Sequence, residues 1–150
     1  RQQPIASDLR NVTSALKIVT DLERIGDQAA DIAEIILNFE GEHAYRTVEH
    51  IPTMAKKAKM MVHEAIDAFI KKDLSTAQMV IKMDDEIDSL FQEVKQEVTE
   101  ILKENSERID YCIDFLMIAK YLERVGDHAV NICEWLEFNQ TGTMNDHRLI

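Results

Sequence analysis

The sequence is poor in the residues that punctuate or cross-link a chain. It has only 4 glycines, 2 prolines and 2 cysteines in 150 residues, whereas 45% of its residues are apolar. This composition suits one helical globular domain and argues against a disordered chain. Cys112 and Cys133 fall on one predicted helix roughly 30 Å apart, so they cannot form a disulfide with each other. Free thiols suit a reducing cytosol.

The sequence also lacks a signal peptide and any long uncharged apolar run, so we expect no segment to span a membrane. Basic residues are scarce: 17 Lys and Arg face 28 Asp and Glu, which gives a net charge of −11. This charge argues against nucleic-acid binding and against unaided docking on an anionic membrane, because both need a basic surface. Excess carboxylate instead suits cations, basic partners or solubility.

One short segment occurs twice. The segment DLERIGD runs from Asp21 to Asp27, and YLERVGD runs from Tyr121 to Asp127, 100 residues later. The ungapped match extends outward on both sides, which indicates an internal repeat.

Both copies have the pattern of a helix, which places Glu23 and Asp27 on one face. Glu23 interrupts an apolar line with the spacing of a helical-bundle seam, and Glu123 does the same in the second copy. A second apolar line borders the first, so we predict that more than half of the first repeat helix is buried. A solvated edge, with each arginine neutralising its glutamate, is the alternative. The first line consists of Val12, Leu16, Val19, Gly26, Ala30, Ala33 and Leu37.

The patterns predict an all-α antiparallel bundle of four helices and no strand. The helices are expected to run from about Ser7 to Asn38 or Phe39, from Pro52 to Lys71, from Leu74 to Lys103 or Glu104, and from Glu107 to Phe138.

Short connections make the last three helices an up-down-up unit, with the repeated motif on its third helix. Residues 1–40 would then be the last helix of a first such unit, residues 41–51 a linker, residues 52–138 the second unit and residues 139–150 a mobile tail. The chain does not begin with Met, so we expect it to start inside a larger protein. If it is complete instead, the first helix could close a four-helix bundle with the others.

The third predicted helix carries a further acid at a seam position, Asp84, with Asp88 one turn later. Counted from the turn near Asn105, Asp88 matches Glu123 in height and Asp84 matches Asp127, because the helices are antiparallel. Four carboxylates converging there would be costly without a cation, and metals in bundles are held by inward carboxylates. We therefore predict a metal site at Asp84, Asp88, Glu123 and Asp127. A stripe of acids balanced by lysines is the alternative.

Asp31 and Asn131 lie one further turn along the repeat helices and are additional candidate ligands. Other chemistry is not indicated. No Glu-x-x-His pair accompanies these acids, and the sequence has no glycine-rich phosphate loop and no recognisable Ser-His-Asp or Cys-His arrangement. The protein is therefore predicted not to be an enzyme. Two alternatives remain: a carboxylate-bridged metal-dependent phosphohydrolase, and a structural helical bundle without metal.

The repeated LERIGD and LERVGDHA segments resemble the PhoU family, whose mark is an E(D)xxxD motif repeated in two three-helix units. Ser7–Arg10, Asp84–Asp88 and Asn131–Trp135 resemble it as well. The resemblance covers nearly the whole chain, although the family has six helices and this chain would supply the last four. The first-unit counterparts of Asp84 and Asp88 would then be absent.

The resemblance implies a cytoplasmic regulator that damps phosphate uptake and keeps the phosphate-starvation response off. It implies contacts with the ATPase of the phosphate ABC transporter and with the phosphate-sensing histidine kinase, a homodimer, and membrane association only through partners. It also implies iron or zinc, in one or more ions, at Asp84, Asp88, Glu123 and Asp127. Glu23 and Asp27 would form half of a first-unit site.

Overall fold

The computed structural model describes residues 3–39 and 48–142. They form four α-helices: α1 (Gln3–Leu37), α2 (His50–Lys71), α3 (Leu74–Glu104) and α4 (Ile109–Thr141), with a 3-10 turn at Ser106–Arg108 before α4. These residues contain no strand. The prediction of an all-α helical bundle is therefore confirmed. Among the same residues, no helix combines the length and the apolar character needed to cross a bilayer.

The helix ends follow local capping. α3 begins at Leu74 because Asp73 caps it: the Thr76 amide donates to Asp73 Oδ1 over 3.1 Å, and the Thr76 hydroxyl donates to Oδ2 over 2.7 Å. These bonds lower the pKa of Asp73. α2 begins at His50, two residues before the predicted start at Pro52, because a proline is tolerated in the first turn of a helix.

The C-terminal end of α4 differs from the prediction. The helix continues to Thr141, so Asn139–Thr141 are helical rather than part of a mobile tail. The end is set by Gly142, which adopts a left-handed φ of 75° and donates its amide hydrogen to the Phe138 carbonyl over 2.8 Å. Residues 1–2, residue 40, residues 41–47 of the predicted linker and residues 143–150 lie outside the described residues.

Helices α2, α3 and α4 form a three-helix unit, as the short connections predict. Each packs on the other two, and their apolar seams meet in one core. The fully buried side chains of this core include Met54, Met61, Val80, Ile87, Val94, Val130, Ile132 and Leu136.

Helix α1 lies outside this unit and packs almost entirely on α4. The two run antiparallel, because Asn11 contacts Asn139 near one end and the ring of Phe39 lies 5.4 Å from that of Phe115 near the other. The first helix therefore does not close a four-helix bundle, and that alternative is not what the structure shows.

The extensive burial predicted for α1 was wrong. Val12, Leu16 and Val19, on its first apolar line, are 58–65% exposed. Their counterparts on α4, 100 residues later, face α2 and α3 and are far less exposed; Cys112 and Ala119 are fully buried. The difference arises because no described element covers this face of α1, whereas a helical hairpin covers the same face of α4.

Candidate functional site

The two copies of the repeat meet at the centre of the α1–α4 interface. Ile25 from the first copy and Leu122 and Val125 from the second lie together at the floor of one groove. Because the helices are antiparallel and the copies lie 100 residues apart, the two motifs occupy equivalent places on either side of this crossing. The repeat therefore builds an interface with approximate twofold symmetry.

A buried polar contact joins the copies on one side of the crossing. Asp21 is 7% exposed, and its Oδ1 lies 3.0 Å from His128 Nδ1 and 3.3 Å from Asn131 Nδ2. Tyr121 stands at the position of Asp21 in the second copy, so this carboxylate has no counterpart there. Asp21 thus fixes the relative position of the helices through His128 and Asn131, and the Asn131 amide is engaged there.

The predicted heights on α3 and α4 agree with the structure. Asp84 is 2% exposed, and its Oδ1 would lie 3.7 Å from a Cβ placed on Gly126, inside the second motif. Further along the same pair, Cys112 Sγ lies 4.0 Å from the Val98 carbonyl oxygen, in the same antiparallel register. The absence of a side chain at Gly126 leaves room for the buried carboxylate of Asp84 against α4.

The other three predicted ligands are not gathered around Asp84. Glu123 Oε1 accepts a hydrogen bond from Lys120 Nζ over 2.6 Å, and Asp88 and Asp127 are exposed. In the part of the chain that the structure describes, no three His, Cys, Asp or Glu side chains are arranged to hold a metal ion. The four carboxylates thus lie at one edge of the α3–α4 pair but do not form a ligand set in the rotamers seen.

The acids of α1 are more open. Asp27 lies 3.9 Å from Arg24 Nη1 with both side chains largely exposed, which matches the solvated-edge alternative more closely than a metal site. Glu23 is exposed and Asp31 is partly buried. A Cβ placed on Gly26 would have nothing within 4 Å, in contrast to one on Gly126. Glu23 and Asp27 therefore lie on an open surface of α1, whereas the second motif packs against α3 at Gly126.

An apolar groove of about 660 Å³ lies between α1 and α2. Its rim carries Lys56, Lys59 and His63, and its lining includes no carboxylate, serine or cysteine. On α4, Val125 at the floor and Asp127 lie about 200° apart around the helix axis. The groove and the acidic edge are therefore on opposite sides of the α1–α4 pair.

Comparison with known proteins decides the family. The model of the PhoU domain matches residues 1–36 and 51–136. The chain belongs to the PhoU family. A Clostridium acetobutylicum protein named phosphate-specific transport system accessory protein PhoU homolog is 42% identical over 146 residues, covering 97% of this chain and 67% of the relative. A Pseudomonas aeruginosa homolog of the same name is 39% identical over 147 residues, covering 95% and 60%.

Solved structures of the family have the same fold. The phosphate transport system regulatory protein PhoU from Streptococcus pneumoniae matches with a TM-score of 0.86 and 32% identity, over 93% of this chain and 66% of that one. PhoU from Pseudomonas aeruginosa matches with a TM-score of 0.88 and 34% identity, over 95% and 69%. The chain thus spans about two thirds of the length of these family members.

Two polar groupings were missed from the sequence. Asp21 lies inside the first copy of the motif, but the second copy has Tyr121 at this position. The prediction used only the acids that both copies share, so it did not include Asp21. The second grouping is His50 with Glu93 and Glu97, where the His50 ring contacts both carboxylates. Its members lie on different helices, and only the i, i+4 spacing of the two glutamates could have suggested it.

Proposed function

We propose that this chain is part of a cytoplasmic regulator of phosphate uptake and of phosphate-starvation signalling, and that it acts by binding partners rather than by catalysis. The observation that carries the proposal is that nearly the whole chain matches relatives named as accessory proteins of a phosphate-specific transport system. Because the chain spans about two thirds of those relatives, the proposal concerns the activity of the whole family member.

The proposed partners are the ATPase subunit of the phosphate ABC transporter and the phosphate-sensing histidine kinase, with a second copy of the protein forming a homodimer. The fold supports a binding role because the three-helix unit has a continuous core that holds its outer faces rigid. Rigid, preorganised surfaces lose less entropy on association. Membrane association would then occur only through the partners.

We further propose that iron or zinc, as one or more ions, binds at Asp84, Asp88, Glu123 and Asp127. The matched positions of these residues along α3 and α4, and the burial of Asp84 beside Gly126, support this proposal. Binding would require Glu123 to leave Lys120, and Asp88 and Asp127 to turn toward Asp84, which are side-chain rotations only. A bound cation would neutralise these carboxylates and hold the edges of α3 and α4 together.

Glu23 and Asp27 are proposed as half of a first-unit site, with Asp31 as an additional ligand on α1 and Asn131 as an additional ligand beside Asp127 on α4. The same repeat accounts for the exposed face of α1. We propose that a two-helix hairpin equivalent to α2–α3 covers Val12, Leu16 and Val19 in a complete family member. The burial of Cys112 and Ala119 at the equivalent positions of α4 supports this arrangement.

The phosphohydrolase alternative needs metals and phosphate-binding cations in one cleft. The basic rim of the groove, at Lys56 and Lys59, lies on the side of the α1–α4 pair away from the acids, so this geometry disfavours it. A structural bundle without metal remains the alternative if elemental analysis finds no metal.

The test uses Pseudomonas aeruginosa cells that lack their own relative. We expect the chain to lower phosphate uptake and to silence a phosphate-starvation reporter at high external phosphate, with the relative returned to the same cells as the comparison. Unchanged uptake and reporter activity, with folded chain present in the cells, would contradict the proposal. Purified chain should also fail to hydrolyse generic phosphoesters with added zinc or iron, and turnover would favour the phosphohydrolase.

A further inference from the structure

The first turn of α2 is held on α3 by a single carboxylate. Glu97 Oε2 accepts the Glu49 amide hydrogen over 2.9 Å, and Glu97 Oε1 accepts that of His50 over 3.1 Å. The first amides of a helix have no partner within the helix, so a side chain from a neighbouring helix serves as the cap here. Val48, just before this turn, is fully buried in the core.

The His50 ring lies between two carboxylates of α3. Its Nδ1 contacts Glu97 Oε1, and its Nε2 lies 2.8 Å from Glu93 Oε2. A neutral imidazole has one donor and one acceptor nitrogen, so it can satisfy only one of two acceptors placed in this way. Both contacts form together only when the ring carries both protons. The geometry therefore requires an imidazolium.

We propose that His50, Glu93 and Glu97 form a proton-dependent latch that fixes the first turn of α2 to α3. α2 directly follows the segment that joins the two copies of the repeat, so the latch determines where that connection meets the three-helix unit. Loss of the ring proton breaks one of the two contacts and leaves Glu97 as the remaining cap.

The charged groups around the His50 ring also favour its protonated form. The hydrogen bond with Glu97 raises the pKa of His50; burial acts in the opposite sense; and the negative charges of Glu97, Glu93 and Glu49 add to the rise. A histidine with a raised pKa stabilises the folded state fully below its ordinary value of about 6.5. That contribution is lost as the pH rises through the higher folded-state pKa.

Hydrogen exchange at the Glu49 and His50 amides tests the latch directly. After correction for intrinsic exchange, we expect their protection to fall as the pH rises from the ordinary histidine pKa of about 6.5 through the higher folded-state pKa of His50, by about tenfold for each unit by which that pKa is raised. His50→Gln should remove this pH dependence. His63→Gln, which removes an exposed histidine from the same helix, should leave it intact.

A further variant separates the latch from simple capping. Glu93→Gln keeps the Glu97 cap but removes the second carboxylate, so the fall in protection should move to lower pH, as should the His50 titration followed by NMR. The proposal is overturned if wild-type protection does not change with pH, if His50→Gln shows the same fall, or if Glu93→Gln leaves the titration where it was.

Discussion

Asp21 of α1 accepts a hydrogen bond from His128 of α4 over 3.0 Å and thereby joins the two copies of the repeat across their shared interface. The Asn131 amide donates to the same oxygen over 3.3 Å. Only the first copy has a carboxylate at this position, so the two copies of the motif contribute different polar groups to their shared interface.

Asp21→Ala should therefore weaken the docking of α1. Removing the carboxylate leaves two side-chain donors without an acceptor in a mostly buried place, which costs about 1–3 kcal/mol of unfolding free energy. Urea unfolding measures the loss. Asp8→Ala, at an exposed acid of the same helix, is the control and should change stability little. Equal stability of the two variants would show that the Asp21 contact is not formed in solution.

The two motif glycines should respond differently to enlargement. Gly126→Leu would push into Ile87 and Asp84, whose atoms lie 3.6–3.7 Å from a Cβ at this position, and should cost about 1–3 kcal/mol. A Cβ at Gly26 would have nothing within 4 Å, and leucine is a better helix former than glycine, so Gly26→Leu should be neutral or stabilising.

Thermal unfolding of both glycine variants, at two protein concentrations, checks this pair. A loss in Gly26→Leu as large as that in Gly126→Leu would mean that another chain covers this face of α1 in solution. That outcome would contradict the exposed seam at Val12, Leu16 and Val19.

The sequence predicts α3 best, because Asp73 caps its start and its apolar seam is unbroken except at Asp84. The burial of Asp84 followed from that seam alone. The exposure of α1 could not be predicted, because an apolar line shows that a face is suited to burial but not whether a partner is present. The repeat favoured the wrong prediction for α1, because the equivalent apolar line on α4 is buried against α2 and α3.

The sequence predicts how far along α3 and α4 the candidate ligands lie, but it does not predict their side-chain rotamers. Counting residues from the turn near Asn105 places Asp84 opposite the second motif, because helical rise is fixed. The rotamer of a side chain depends on which partners compete for it, and Glu123 accepts a hydrogen bond from Lys120. Asp21 and the His50 latch needed the packing of α1 on α4 and of α2 on α3, which no single helical pattern contains.

Metal content tests the proposed metal site at Asp84, Asp88, Glu123 and Asp127. Protein purified without chelator should contain stoichiometric iron or zinc by elemental analysis, and Asp88→Ala and Glu123→Ala should lose it. Asp85→Ala, at an exposed acid on α3, should retain it. If chelated and metal-loaded protein melt at the same temperature, the proposed role of the ion in holding α3 against α4 is wrong, even where metal is found.

Binding to the transporter is the measurement that tests the central claim most directly. The purified chain would be titrated against the ATPase subunit of the phosphate ABC transporter, with the ATPase of an unrelated ABC importer as the control. We predict saturable binding to the phosphate transporter subunit alone, in the micromolar range or tighter, at about −8 kcal/mol or below. Equal binding to both ATPases, or to neither, by chain that circular dichroism shows to be helical, would contradict a role as an adaptor in phosphate transport.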